Sequence, residues 1–271
     1  MLAGEDGLAH VLAGGTDLLV QLRSGMVEPD LVVDIKNINS MTSITQENGG
    51  YRIGGAVSCA EMGEHTGLCA LWPGVVESAE LIGSTQVQGR ATITGNLCNC
   101  GPAADSVPAM VAANAVATIV GPDGRRDVPV EDIPVSPGKS SLAKGEIIES
   151  IFLPARPDRS GDAYQRFIPR TEMDIAVVGV GINLSLDDGG VCTHARVGLG
   201  AVAATVLLVD DAAKALIGTT VDAAALKNLA TATSAACKPI NDKRGTIEFR
   251  THVAGVLAVR VAKIALERAG K

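Results

Sequence analysis

An α+β protein of two domains is predicted from the sequence, and three observations predict it. The chain has 271 residues, more than the roughly 100–200 residues of a usual single domain. Short β-branched runs and helical patterns interleave up to Pro154, whereas beyond it strand-like runs cluster first and helices follow. Between the two regions, residues 154–161 (PARPDRSG) concentrate Pro, Arg, Asp and Gly without apolar periodicity, which is the composition of a connection. The boundary is placed there, giving domains of residues 1–157 and 158–271 with the first split into two lobes near residue 50.

Each element has its own reason. An apolar strand end at Val11 and Leu12 runs into Gly14 and Gly15, and Asp17–Met26 then sets Leu18, Leu19 and Leu22 at helical spacing. The β-branched run Leu31–Lys36 reads as a buried strand, so the chain opens as strand, turn, helix, strand. Tyr51–Ser58 is one arm of a hairpin turned at Asn48, Gly49 and Gly50, and a long helical pattern from about Cys59 to Ala79 is broken in two at Trp72 and Pro73. Ser106–Asn114 reads as a short helix. Ala117–Val120 and Arg126–Val130 form a hairpin closed by Gly121, Pro122, Asp123 and Gly124, and Gly145–Pro154 is a further strand. Past the connection, strand-like runs occupy 163–170, 175–186 and 191–208, the last two joined by Asp187, Asp188, Gly189 and Gly190. The final helix, Thr246–Ala269, repeats Val253, Val256, Leu257, Val261 and Ile264 as an amphipathic stripe facing the second domain's core.

Composition narrows the function. With 46% hydrophobic and 20% charged residues the chain can bury a full core. A net charge of −7 opposes broad attraction to phosphate backbones, so nucleic acid is a poor partner. The longest nearly apolar stretch, Met110–Val120, falls short of the roughly 18 residues of a membrane helix. The first residues, MLAGEDG, lack a secretory pattern, so a cytoplasmic location is expected.

Two clusters carry chemistry. In Val11, Leu12, Ala13, Gly14, Gly15, Thr16, Asp17 and Leu18, a strand end meets two glycines, a hydroxyl and a helix start. Such a turn exposes consecutive main-chain N–H groups suited to a phosphate or pyrophosphate, although the same residues serve equally as an ordinary turn with Thr16 or Asp17 as helix cap. The second cluster, Thr92, Ile93, Thr94, Gly95 and Asn96, is followed by Gly101–Ser106 with the carboxylate of Asp105. Polar groups packed around its glycine suit a dinucleotide held between lobes; the alternative is a strand and turn with Asp105 or Ser106 as cap. Neither cluster fits the Rossmann or Walker glycine patterns. The four histidines are scattered and form no hydrolytic or metal pattern, and C-x-C at Cys98 and Cys100 lacks metal-site spacing.

AGGTDLL, IGSTQVQGRATITGN and GPAADSVPAM, in this order and spacing, resemble the FAD-binding medium subunit of the molybdenum hydroxylases, the family of xanthine and aerobic carbon monoxide dehydrogenases. YQRFIPRTEMDIAVVGVGI and TIEFRTHVAGVLAVRVAKIALERA resemble that family's second domain. The resemblance implies a two-lobed FAD-binding domain of the vanillyl-alcohol-oxidase (PCMH-like) type, followed by a smaller domain with a three-stranded antiparallel sheet and helices. It places Val11–Leu18 around the FAD pyrophosphate and Thr92–Asn96 as a second stretch wrapping the cofactor. Asp105 would hydrogen-bond FAD, Ile82 would lie near the flavin ring, Ile148 would make an apolar contact, and Arg166 would supply a basic group. No side chain is assigned a catalytic or metal-binding role, and His252 and Arg250 are read as structural or interface residues.

The implied function is electron relay: a large subunit carries the molybdopterin cofactor, a small one carries [2Fe-2S] clusters, and FAD here passes electrons to an external acceptor, within a heterohexamer. Two departures stand out. Thr94 replaces the first glycine of the family's T-I-G-G-N, a β-branched residue that is strained if the position needs positive φ, and only about ten residues precede AGG, where relatives commonly carry a further strand and most of a helix. Two other readings stay open on sequence alone, an assembly subunit poor in FAD and a stand-alone flavin oxidoreductase.

Overall fold

The computed structural model describes residues 1–270. The chain opens with β1 (Ala9–Leu12), α1 (Leu18–Arg23) and β2 (Leu31–Asp34), β1 and β2 forming a parallel pair. Next come β3 (Ile44–Glu47) and β4 (Gly50–Gly54), whose turn holds Asn48 and Gly49 at φ 50° and 76°. Positive φ at both central residues is the backbone of a tight two-residue hairpin. Gly50, predicted in the turn, is the first paired residue of β4, opposite Glu47.

Residues 59–79 form three helices rather than two: α2 (Cys59–Glu64), α3 (Thr66–Leu71) and α4 (Pro73–Ala79). The break predicted at Trp72 and Pro73 is present, and a second one falls at His65, whose Nδ1 accepts the Leu68 N–H and caps α3. Ser58 and Glu61 close a reciprocal capping box on α2. The short helices α5 (Thr85–Gln88), α6 (Ile93–Cys98) and α7 (Ser106–Ala112) follow, then β5 (Val116–Gly121), β6 (Gly124–Pro129), the small pair β7 (Pro134–Ser136) and β8 (Lys139–Ser140), and β9 (Ile147–Leu153). A five-stranded antiparallel sheet, β3-β4-β9-β5-β6, results. Ile53, Ile119, Ile151 and Leu153 of this sheet pack with Met62, Leu68 and Met110 of the helices, and with Trp72 between α3 and α4, into the first core.

In the second domain β10 (Ser160–Phe167), β11 (Val178–Leu186) and β12 (Cys192–Gly200) are the three expected long antiparallel strands, with a two-residue fourth, β13 (Leu207–Leu208), on the edge. The predicted 191–208 run is therefore interrupted; Ala201 leaves the strand at φ 63°. β10 starts three residues before the predicted run, so the connection is shorter than its composition suggests. Helices α8 (Asp210–Lys214), α9 (Ala223–Ala236) and α10 (Ile247–Ala269) complete the domain. Of the stripe predicted on α10, Leu257 and Val261 are buried but Val256 is 38% exposed. Ala254, Ala258, Ala262 and Ala265 line the buried face instead, small residues that bring the helix close to β10 and β11.

The domains meet along α4 and α7, which lie on β10–β12. A Cβ on Gly198 or Gly181 would fall 2.3 or 2.6 Å from the Pro108 carbonyl oxygen, so these bare positions let α7 settle on the sheet. At the connection, Trp72 Nε1 donates to Pro154 O at 2.9 Å and the Arg156 guanidinium stacks 4.9 Å above the Trp72 ring. Arg156 also donates to the buried Asp162 carboxylate at 2.8 Å, and Arg268 of α10 reaches Glu77 of α4 and the Asp162 carbonyl.

Candidate cofactor site

A cleft of about 420 Å³ runs between the β1–α1 turn and the start of α6. From the first cluster it is lined by Val11, Ala13, Gly14, Gly15, Thr16, Asp17 and Leu18; from the second by Thr92, Gly95 and Asn96; and by Ile82. Two sequence clusters about 80 residues apart (Gly14 to Asn96) thus face one space.

Glycine makes that meeting possible. A Cβ on Gly14 would sit 1.9 Å from the Arg90 carbonyl oxygen, so only a bare Cα allows the two stretches to touch there. Gly15 takes φ +77°, which turns the chain from β1 into α1. Outside any strand or helix, the N–H groups of Gly14, Gly15, Thr16 and Asp17 donate to no protein acceptor among the described residues. Neither alternative cap is formed: Asp17 occupies the N-cap position of α1 without a side-chain bond. A row of free main-chain donors in a concave turn is an anion cradle.

The second cluster is a helix start, not a strand and turn. Thr92 caps α6 by accepting the Gly95 N–H at 2.9 Å. Thr94 lies inside α6 with no positive φ, so the strain its β-branched side chain would bring does not arise. Residues 92, 95, 96 and 99 face the cleft, whereas Ile93, Thr94 and Leu97 are buried on the other side of the helix. The Thr94 hydroxyl is left without a partner there.

The remaining predicted residues lie apart from this lining. Leu12 is a half-buried residue of β1, paired with Asp34. Ile148 is 3% exposed in β9, inside the first core. Asp105 and Arg166 pair with each other across the domain interface at 2.5 Å, and Tyr164 Oη donates to the second Asp105 oxygen at 3.1 Å. Asp105 holds the N-cap position of α7 but spends its carboxylate on these partners rather than on a cap. Burial pushes its carboxyl up to about 6, against the pull of Arg166 and Tyr164.

The lining also includes His10, Gln21, Ala91, Cys98, Asn99 and Gly138, which sequence reasoning did not select. Gln21 was within reach, three residues after Leu18 on one face of α1; Gly138 was not, because it arrives from the β7–β8 turn by a long-range contact, its N–H donating to Cys100 O.

The comparisons with known proteins decide the family. Residues 1–156 match the FAD binding domain in molybdopterin dehydrogenase, and residues 163–265 match the CO dehydrogenase flavoprotein C-terminal domain. The chain belongs to the FAD-binding medium subunits of the molybdenum hydroxylase family. This medium subunit is 32% identical to the carbon monoxide dehydrogenase medium chain of Afipia carboxidovorans over 98% of its own length and 91% of that protein's. It is 29% identical to the xanthine dehydrogenase FAD-binding subunit of Escherichia coli O157:H7, over 99% and 92% of the two chains. Among solved structures, carbon monoxide dehydrogenase from Hydrogenophaga pseudoflava superposes with a TM-score of 0.92 at 30% identity, covering 98% of this chain and 91% of that one.

The cleft of the medium subunit fits the dinucleotide that its family binds. The free N–H row at Gly14–Asp17 suits a pyrophosphate, and Ile82, Val11 and Ala91 supply apolar wall. Among the described residues no group of three or more His, Cys, Asp or Glu is arranged for a metal ion, and no helix is long and apolar enough to cross a membrane.

Proposed function

We propose that this chain is the flavoprotein relay of a molybdenum-containing dehydrogenase complex, an oxidoreductase subunit that carries electrons from the [2Fe-2S] clusters of a small partner to an external acceptor. The observation that carries the reading is the cradle of unpartnered N–H groups at Gly14–Asp17, closed against Arg90 by the missing Gly14 Cβ and lying in a domain of the FAD-binding family.

When bound, FAD supplies the ability to take electrons singly and release them as a pair. The work of this chain's residues is to hold and shield. Gly14–Asp17 would offer main-chain donors to the pyrophosphate, the Thr92 and Asn96 side chains would offer polar contacts from the start of α6, and Ile82 would supply apolar wall. Asp105 and Arg166 tie the second domain to the helix that follows this stretch. No acid–base pair is needed, since the organic substrate is oxidised on a large molybdopterin-binding subunit. The full assembly in this reading is a heterohexamer of two copies of each subunit, working in the cytoplasm.

The test is reoxidation kinetics of the purified complex. After reduction with dithionite, the FAD-loaded complex is expected to pass electrons to its acceptor (oxygen, NAD or a quinone, tried in turn) at least about 100-fold faster than the FAD-depleted complex. Equal rates with and without FAD for every acceptor would overturn the relay.

A further inference from the structure

Asn96 is the one carboxamide of the second cluster, and its orientation is set from outside the cleft. The main-chain N–H of Ser106 lies 3.1 Å from the side-chain Oδ1 of Asn96, and the Ser106 hydroxyl lies 2.7 Å from the same atom. A main-chain N–H can only donate, so the atom facing it has to be the carboxamide oxygen and not the nitrogen. Both lone pairs of Oδ1 are therefore engaged by one residue. The planar amide then turns Nδ2 away from Ser106, and among the described residues Nδ2 donates to no protein group, while Asn96 lines the cleft.

Ser106 itself is fully buried and does not line the cleft. It is the first residue of α7, which is fixed from two directions. Its preceding residue, Asp105, is gripped by Tyr164 and Arg166, and Pro108 rests on the bare Gly181 and Gly198 of the second sheet. The hydroxyl thus sits on a rigid base, and the amide it holds is preset.

We infer that Ser106 is a positioning residue of the cofactor site: it locks the Asn96 carboxamide with its N–H₂ turned into the cleft, as a donor to an acceptor oxygen of the dinucleotide. This rests on the reading of the cleft as the FAD site. Preorganising a donor removes the rotamer and flip entropy that binding would otherwise have to quench.

A double-mutant cycle on the full chain tests it, with FAD affinity read by quenching of flavin fluorescence. Ser106→Ala keeps the main-chain donor and loses the hydroxyl, so the amide is freer to turn and FAD affinity is expected to fall about 5-fold, the order of the ordering cost of one side chain. Asn96→Ala is expected to weaken it about 10-fold, and the double variant no further than Asn96→Ala alone. If Ser106→Ala weakens FAD equally in both backgrounds, its role is general packing and the inference falls. Asn96→Asp gives an independent reading and keeps both Ser106 donors satisfied. It places an acceptor where the amide donor stood, so its affinity deficit is expected to be large at high pH and to shrink as the pH falls through the carboxyl range. A deficit that does not change with pH overturns the donor orientation. A wild-type chain that takes up no FAD, alone or in its complex, sinks the cofactor reading itself, whereas binding with an additive cycle sinks only this inference.

Discussion

Gly14 lies directly against the main-chain carbonyl of Arg90, at a separation that leaves no room for a methyl group: a Cβ there would be 1.9 Å from the oxygen and 2.7 Å from its carbon. The obstacle is backbone on both sides, so a side chain cannot rotate away. Gly14→Ala is expected to push the β1–α1 turn off α6 and to lower FAD affinity at least about 100-fold, while the second domain, with its own core, keeps its fold. Fluorescence titration with FAD, alongside circular dichroism, checks this; wild-type affinity in the variant contradicts the close approach.

Thr94 holds a buried hydroxyl with no partner on the core side of α6. Replacing it by the isosteric Val removes an unpaired polar group without opening a cavity, which is expected to stabilise the chain by about 1 kcal/mol. FAD affinity should stay within about twofold, because the side chain does not line the cleft. Urea denaturation and an FAD titration of Thr94→Val measure the two effects, and a clear drop in affinity would mean that the Thr94 side chain acts on the cofactor site.

Asp105 makes stability depend on pH. Burial raises its carboxyl to about 6 in the folded chain, above the roughly 3.9 of an unfolded Asp. The folded state therefore binds this proton more tightly, so the stability linked to it is complete below about pH 4 and is lost as the pH rises through 6. The loss is at most about 3 kcal/mol, from a shift of roughly two pH units. The stability difference between wild type and Asp105→Asn, measured by denaturation from about pH 4 to 7, is expected to move against the wild type by this order. A constant difference would mean that Arg166 holds the carboxylate ionised throughout.

Arg250 ties three segments of the second domain. Only 4% exposed, it donates to Val177 O at 2.8 Å, Ala201 O at 3.1 Å and Asp242 Oδ1 at 2.7 Å. These acceptors hold the entry to β11, the exit from β12 and the turn before α10. Arg250→Ala strands the two buried carbonyls, while Asp242 keeps the N–H groups of Arg244 and Gly245, for an expected loss of about 3 kcal/mol. Arg250→Lys recovers only part, since a single ammonium cannot span the three acceptors. A loss under about 1 kcal/mol in Arg250→Ala would remove its structural role.

Elements defined by local chemistry were legible in the sequence. Asn48-Gly49 fixes a hairpin by positive φ, Gly14-Gly15 marks the turn from strand to helix, and Pro73 starts a helix at its first position. What the sequence hid depends on tertiary contact. The stretch Thr92–Asn96 reads as non-helical because β-branched residues and glycine are weak helix formers, yet the Thr92 cap and burial of Ile93 and Leu97 make it helical. The break at His65 comes from a side chain acting as a cap, a role with little local signature. The resemblance implies Arg166 and Asp105 each at the cofactor, whereas their pairing with each other across 61 residues is one that spacing along the chain does not announce.

The proposed relay requires the cleft between Gly14–Leu18 and α6 to hold FAD, and the most direct measurement is the flavin content of the purified chain, by visible absorption and chromatography of the cofactor released on denaturation. One FAD per chain in the wild type, and almost none in Gly14→Ala of intact fold, is the predicted result. A wild-type chain that remains colourless and takes up no added FAD, even when assembled with its partners, would contradict it.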